Sequence, residues 1–181
     1  MASGPRHTTS RLQVLMSANF WPTCRFLWRT LVHKRYVFQA GLRTRAPIWR
    51  LIIHDWTKFT PSEAPHYGRR QFGAADDSLG FAYAWNHHQR LNPHHWQAWV
   101  PVTAHHLSNI EGGKPLPMPE WAVREMVADW VGATKGYEGV WPSTLEGWEW
   151  LLNARPAMQL HPETEAIIDQ VLAEYFANPL R

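Results

Sequence analysis

Histidine and aspartate supply the densest chemistry in this sequence. Its 181 residues include eleven His but one Cys, Cys24, so neither a disulfide framework nor a multi-Cys zinc site is available. A metal would have to be held by imidazole and carboxylate, donors that suit iron, manganese or zinc in a catalytic rather than a structural site. Along the chain the candidates are His33, the adjacent pair His54-Asp55, the pairs His87-His88 and His94-His95, and Asp129. An HD dipeptide alone says little. Its force comes from the order: His33 on the apolar stripe of one helix, further histidines after the pair, and a distant Asp on another helix. Glu125 stands one helical turn before Asp129 and is expected, at most, to orient a ligand from behind. Lys58, three residues past Asp55, can hold a phosphoryl oxygen as a point charge. Arg69 and Arg70 suit phosphate recognition, and His87 is expected on the substrate side or behind a ligand.

This order resembles the HD-domain superfamily of metal-dependent phosphohydrolases, whose pattern is a His, an HD pair and a distant Asp, all on helices. The binuclear branches of that superfamily insert further His residues between the pair and the last Asp, as this chain does. HDWTK is similar to the HDIGK of the HD-GYP phosphodiesterases, which would match Lys58, and ADWVGA resembles the segment around their last Asp. The GYP motif itself is absent. More specifically, HDWTKF, FAYAWNHHQRLNPHHWQAW, LPMPEWAVREMVADWVGA and LHPETEAII together look like a family of small phage and bacterial proteins known only as a domain of unknown function. That likeness covers roughly residues 30–170, and its AWxxH spacing favours His88 over His87.

The resemblance implies an HD-like helical bundle holding one or two divalent cations. His33, His54 and Asp129 would complete a first ion, His88 with His94 or His95 a second, and Asp55 would bridge. Water between two such ions loses a proton near neutral pH and attacks a phosphate ester. Neighbouring side chains on a helix point about 100° apart, so only one of His94 and His95 is expected to serve the second ion.

These ligands need helices to position them. Thr23 is read as the cap of a helix ending at Gly41, with Phe26, Thr30, His33, Val37 and Ala40 on one face. A second helix is expected over about Pro47–Trp56, placing His54-Asp55 on it. Thr60-Pro61-Ser62-Glu63 reads as a capping box opening a helix to about Phe72. Ser78 opens another to about Arg90, and Asn92-Pro93 starts one carrying Trp96 and Trp99. After a Gly- and Pro-punctuated loop, Pro119 opens a helix to about Ala133. Ser143–Glu146 is a second capping box, and His161-Pro162 caps the last helix, with Glu163 and Glu165 near its positive end. No six-residue stretch alternates like a strand. The reading is all-α, six to eight helices. Residues 1–22 form a basic arm and first helix, and residues 23–181 a single domain.

Charge is divided unevenly. Residues 1–54 carry nine Lys or Arg and no acid, whereas residues 55–181 carry nine basic and fifteen acidic residues, a net of −6. A basic half implies an anionic partner. With the site above, that partner is expected to be a small phosphorylated substrate, a nucleotide before others. No apolar run suits a transmembrane helix, so no membrane partner is expected and the protein is taken as cytoplasmic. Two rival functions fit the same residues. One is an HD-type di-iron oxygenase, favoured by His-rich ligation. The other is a non-catalytic nucleotide- or nucleic-acid-binding module, using the Arg and aromatics interleaved in WPTCRFLWRTLVHKRYVF.

Overall fold

The computed structural model describes residues 11–73, 77–101 and 114–181, with side chains from residue 20 onward. Among these residues the protein is all-α. Seven helices are joined by turns and short 3-10 segments, and no strand occurs. The residue 1–10 arm lies outside the described residues, as does His105-His106, which follows the candidate ligand cluster.

The scaffold is one long helix and the helices laid across it. Helix α1 spans Arg11–Thr44 and passes through Pro22 without ending, so it also runs unbroken across the expected boundary at residue 22. Its expected face holds: Phe26, Thr30, Val37 and Ala40 are buried. Gly41 is not the stop. The helix continues to Thr44, and Gly41 is instead where Leu51 presses against α1; a Cβ there would lie 2.4 Å from a Leu51 methyl. The end is secured by a distant clamp. Arg124 donates to the Thr44 carbonyl at 2.6 Å and also pairs with Glu174 at 2.9 Å. Such a buried guanidinium satisfies carbonyls that a helix terminus leaves open.

Two apolar cores share α1. The larger joins Val37 and Ala40 to α5 (Glu120–Glu138), α6 (Glu149–Ala154) and α7 (Pro162–Ala177), through Met126, Val127, Leu151, Ile168 and Tyr175. The smaller joins Phe26 to α3 (Ala64–Phe72) and α4 (Ser78–Leu91), through Tyr67 and Ala84. His33 falls on α1 between these cores, on the same face. The α1–α5 crossing is close because Gly132 lets it be: a Cβ at Gly132 would lie 2.7 Å from the Val37 backbone nitrogen. Val37 is one turn from His33 and Gly132 is close to one turn from Asp129. The absence of one methyl group therefore sets how near those two side chains come.

Several boundaries differ from the sequence expectation, each for a local reason. Helix α2 covers only Ile48–Ile53. Helix α3 starts at Ala64, since Pro65 favours the first turn, and Glu63 makes no side-chain cap. Residues 92–95 form a turn rather than a helix, followed by a 3-10 segment at Trp96–Trp99. Helix α6 starts at Glu149, because Thr144 spends its hydroxyl on the Gly147 amide in a turn. At α7 the expected cap is present: the His161 ring accepts from the Glu163 amide at 3.2 Å.

Candidate metal centre

Helix α2 must end for the centre to exist. The Lys34 ammonium, reaching over from α1, donates to the carbonyls of Ile52 and His54. That satisfies acceptors the helix would otherwise bond internally and turns the chain out of helical geometry. His54 is extended (φ −47°, ψ 131°) and Asp55 is left-handed (φ 55°, ψ 25°). Asp is one of the few side chains that tolerate this region, at a cost of about 1 kcal/mol. The HD pair therefore does not ride a helix, as its apolar approach suggested. It sits in a strained turn that drives both side chains inward until each is 1% exposed.

Around Asp55 two sets of possible ligands converge, the atoms of each set lying within 4.8 Å of one another. One set is His33 from α1, His54, Asp55 and Asp129 from α5. His33 Nε2 lies 2.9 Å from Asp129 Oδ1, and His54 Nε2 lies 3.5 Å from Asp55 Oδ2. The other set is Asp55, His88 from α4, and both His94 and His95 from the following turn. His88 Nε2 is 3.2 Å from Asp55 Oδ1 and 2.9 Å from His95 Nε2. His94 Nε2 is 3.5 Å from the same Asp55 oxygen. The restriction to one of His94 and His95 is corrected here. They leave a turn instead of a helix, so adjacent residues can face one point. Asp55 is common to both sets and offers a different oxygen to each.

The atoms that meet have the chemistry of ligands. Among the described residues, His33 Nε2, His54 Nε2, His94 Nε2 and Asp55 Oδ1 are buried without a hydrogen bond. Orphaned buried polar atoms are costly and rare, and a cation at each set would satisfy all four. Nitrogens facing each other about 3 Å apart have the spacing of two cis ligands each about 2.1 Å from one cation. The outward nitrogens of His54, His87 and His88 are held by carboxylates. Glu125 Oε1 accepts from His54 Nδ1 at 3.0 Å and lies 3.1 Å from His94 Nδ1, while its other oxygen pairs with buried Arg50 at 2.7 Å. Glu63 accepts from His88 Nδ1 at 3.0 Å and from His87 Nδ1 at 2.7 Å. Such partners fix ring orientation and present Nε2 to the centre. Thr57 and Asn92 pack their polar atoms around His88 Nδ1 at 3.0 and 3.1 Å.

The electrostatics follow. Burial disfavours charge on His54, but the Asp55, Asp129 and Glu125 carboxylates outweigh it and push its pKa up to about 10. Burial likewise opposes ionisation of Asp55, yet His54, Lys58 and His88 hold it well below the usual carboxylate range. Glu125, resisting burial through His54 and His94, is lowered to about 2. His95 goes the other way: burial, then the neighbouring His94 and His88, hold it neutral.

Lys58 donates to Asp55 Oδ2 at 2.6 Å and lines a cavity of about 320 Å³ that His33, His95 and Asp129 also border. Trp85 stands in its wall, stacked on His88 with ring centroids 5.8 Å apart. Trp96 and Trp130 belong to the larger core instead. The cavity's second cation is Arg29 from α1, which the sequence reading passed over as part of a basic helix. Arg69 and Arg70 do not border it. Arg69 pairs with Asp77 at 2.7 Å, and Arg70 lies 5.8 Å from the Phe81 ring centroid. His87 faces Glu63, away from the cavity.

Residues 24–174 match a family of unknown function, DUF5662. The chain belongs to this family. No curated protein and no solved structure matches it. Within this DUF5662 chain, Glu63, Thr57, Asn92 and Arg50 are supporting residues that sequence reading missed. Glu63 carried a signal: Pro65 two residues later marks the helix start there, which frees Glu63 from a capping role.

Proposed function

We propose that this protein is a metal-dependent phosphohydrolase that binds two divalent cations at Asp55 and cleaves a nucleotide or another small phosphate ester. The observation that carries the reading is the pair of buried ligand sets sharing one carboxylate beside a cavity lined by Lys58 and Arg29. It is also what supports kinship with HD-domain hydrolases. His33, His54 and Asp129 would hold one ion, His88, His94 and His95 the other, and Asp55 both. The mixed imidazole and carboxylate donors suit iron, manganese or zinc. When bound, such a pair acidifies a water and polarises a phosphoryl oxygen.

The chain's own residues supply the rest. Lys58 and Arg29 attract the phosphate and steady it against the centre. Glu125 and Glu63 keep the imidazoles in the tautomer that presents Nε2. The cavity opens to solvent at Arg29 and Tyr137, whereas its inner end at Lys58, His33 and Asp129 is largely buried, so charges there are screened less than at the surface. The basic first half of the chain raises the local concentration of anionic substrate.

The test is elemental analysis of the purified protein followed by phosphate release from a nucleotide panel with added Mn²⁺, Fe²⁺ or Zn²⁺. About two metals per chain and metal-dependent phosphate release are expected. One observation favours the oxygenase reading: the second set offers three imidazoles and one carboxylate, which suits iron. Two irons per chain with O₂ consumption and no phosphate release would decide for it. Salt-steep nucleic-acid binding with no metal would decide for a binding module.

A further inference from the structure

Tyr67 borders the cavity and carries an unexplained group, its buried hydroxyl. The residue is 4% exposed. Its oxygen has no hydrogen-bond partner among the described residues. A buried phenol normally finds a partner, because leaving one unmet costs about 1–3 kcal/mol. Nor is the side chain free to turn away. Phe26 stacks on it with centroids 5.0 Å apart, and Phe81 meets it edge-on at 5.2 Å. The Lys58 ammonium lies 5.8 Å from its ring centroid. A ring that carries an unmet donor is thus fixed beside Lys58, which pairs with Asp55.

The rest of the cavity narrows what would meet it. Its volume of about 320 Å³ lies at the small end of the roughly 300–1,000 Å³ typical of small-ligand sites. Its cations are Lys58 and Arg29, enough for one phosphoryl group but sparse for a chain of them. Phe81, Trp85 and Tyr137 supply faces and edges for a flat ring, and the Arg29 guanidinium lies 4.7 Å from the Tyr137 ring centroid.

We infer that Tyr67 is a substrate-binding residue whose hydroxyl donates to a phosphoryl oxygen, and that the ligand is a nucleoside monophosphate with its base against the aromatic wall. The inference rests on the phosphohydrolase reading for the site, and it adds the number of phosphates, the need for a base and the residue that senses the phosphate.

The experiment uses the full chain and an uncleavable probe, the 5′-methylenephosphonate analogue of adenosine monophosphate, with calorimetry for binding. The probe is expected to bind at least about tenfold more tightly than ribose 5-phosphate, since base–aromatic stacking has that worth. Tyr67→Phe is expected to weaken the probe about tenfold or more, as loss of a hydrogen bond to a charged group does. Its melting temperature should stay or rise, because no internal bond is lost. Metal content is measured on both proteins. Equal probe affinity in Tyr67→Phe would overturn the role of the hydroxyl, and so would a clear fall in melting temperature. Ribose 5-phosphate binding as well as the probe would overturn the nucleoside. If neither protein holds metal while the probe still distinguishes them, the hydrolase reading fails and the Tyr67 site stands.

Discussion

The two ligand sets around Asp55 are built from different materials. His33 and Asp129 stand on α1 and α5, the two longest helices, at a crossing held close by Gly132. Their set is rich in carboxylate, and one oxygen of its shared Asp55 is already paired with Lys58. The His88, His94 and His95 set hangs on the end of α4 and a turn, contains a single carboxylate, and meets the Asp55 oxygen that has no hydrogen bond. The first rests on the packing of two helix backbones, with Glu125 behind His54; the second rests on a helix end and a turn, with Glu63 behind His88. Rigid geometry can come from either, but the two should fail differently.

Asp55→Ala should have the largest effect, because it removes the only group both sets share. Metal content is expected to fall to background or to one weakly held ion, with helical circular dichroism kept. Unchanged metal content would show that the sets are independent of Asp55. Gly132→Val comes next. Its side chain would meet the Val37 backbone, so α1 and α5 must separate, at a cost of about 1–3 kcal/mol or more. The expected result is a lower melting temperature and the loss of one metal, from the carboxylate-rich set alone.

His95→Ala should also take metal content from two to one but leave stability near wild type, because His95 lies in a turn. The surviving ion should be the one held by His33, His54 and Asp129, read by the spectrum of a cobalt-substituted protein. Lys58→Met separates the sets more gently. On the proposed reading, Asp55 Oδ2 freed of the ammonium should bind a cation several-fold more tightly, while KM for a phosphate ester rises. A cation affinity unchanged by this substitution would show that Lys58 does not compete at the carboxylate-rich set.

The smallest effect lies outside the centre, at Glu174. Arg124, and then Gln170, hold its carboxyl down at about 2, against an ordinary value of 4.5. A depressed carboxylate pKa stabilises the fold above the ordinary value, and that contribution is lost as pH falls from about 4.5 through about 2. Glu174→Gln should therefore cost no more than about 1 kcal/mol at neutral pH. The difference in melting temperature from wild type should vanish by about pH 2.

What could be read from the sequence was what depends on local pattern. The apolar stripe of α1, the starts of α4 and α5 and the cap at His161 follow periodicity and capping chemistry, and each lies close to its expected place. The order of His and Asp named the residues that meet. Orientation was harder, because tertiary partners decide it. Nothing in IWRLIIHDWTKF announces that a lysine twenty positions earlier will end the helix at Ile53. Glu63 follows Thr60 at the spacing of a cap, and only the approach of His87 and His88 shows its use. Arg29 and Arg69 look alike in sequence. One borders the cavity and the other is held by Asp77 because α1 and α3 present different faces to it.

The left-handed backbone at Asp55 has an evolutionary consequence. A position with positive φ is normally yielded to glycine, and drift toward it would relieve the turn. A role as shared ligand would oppose that drift, since glycine brings no oxygen and glutamate, with its longer arm, tolerates the conformation poorly. Asparagine fits the backbone but forfeits the charge. On the proposed reading, position 55 is thus one where the demand of the backbone and the demand of a cation are met together by a single residue type.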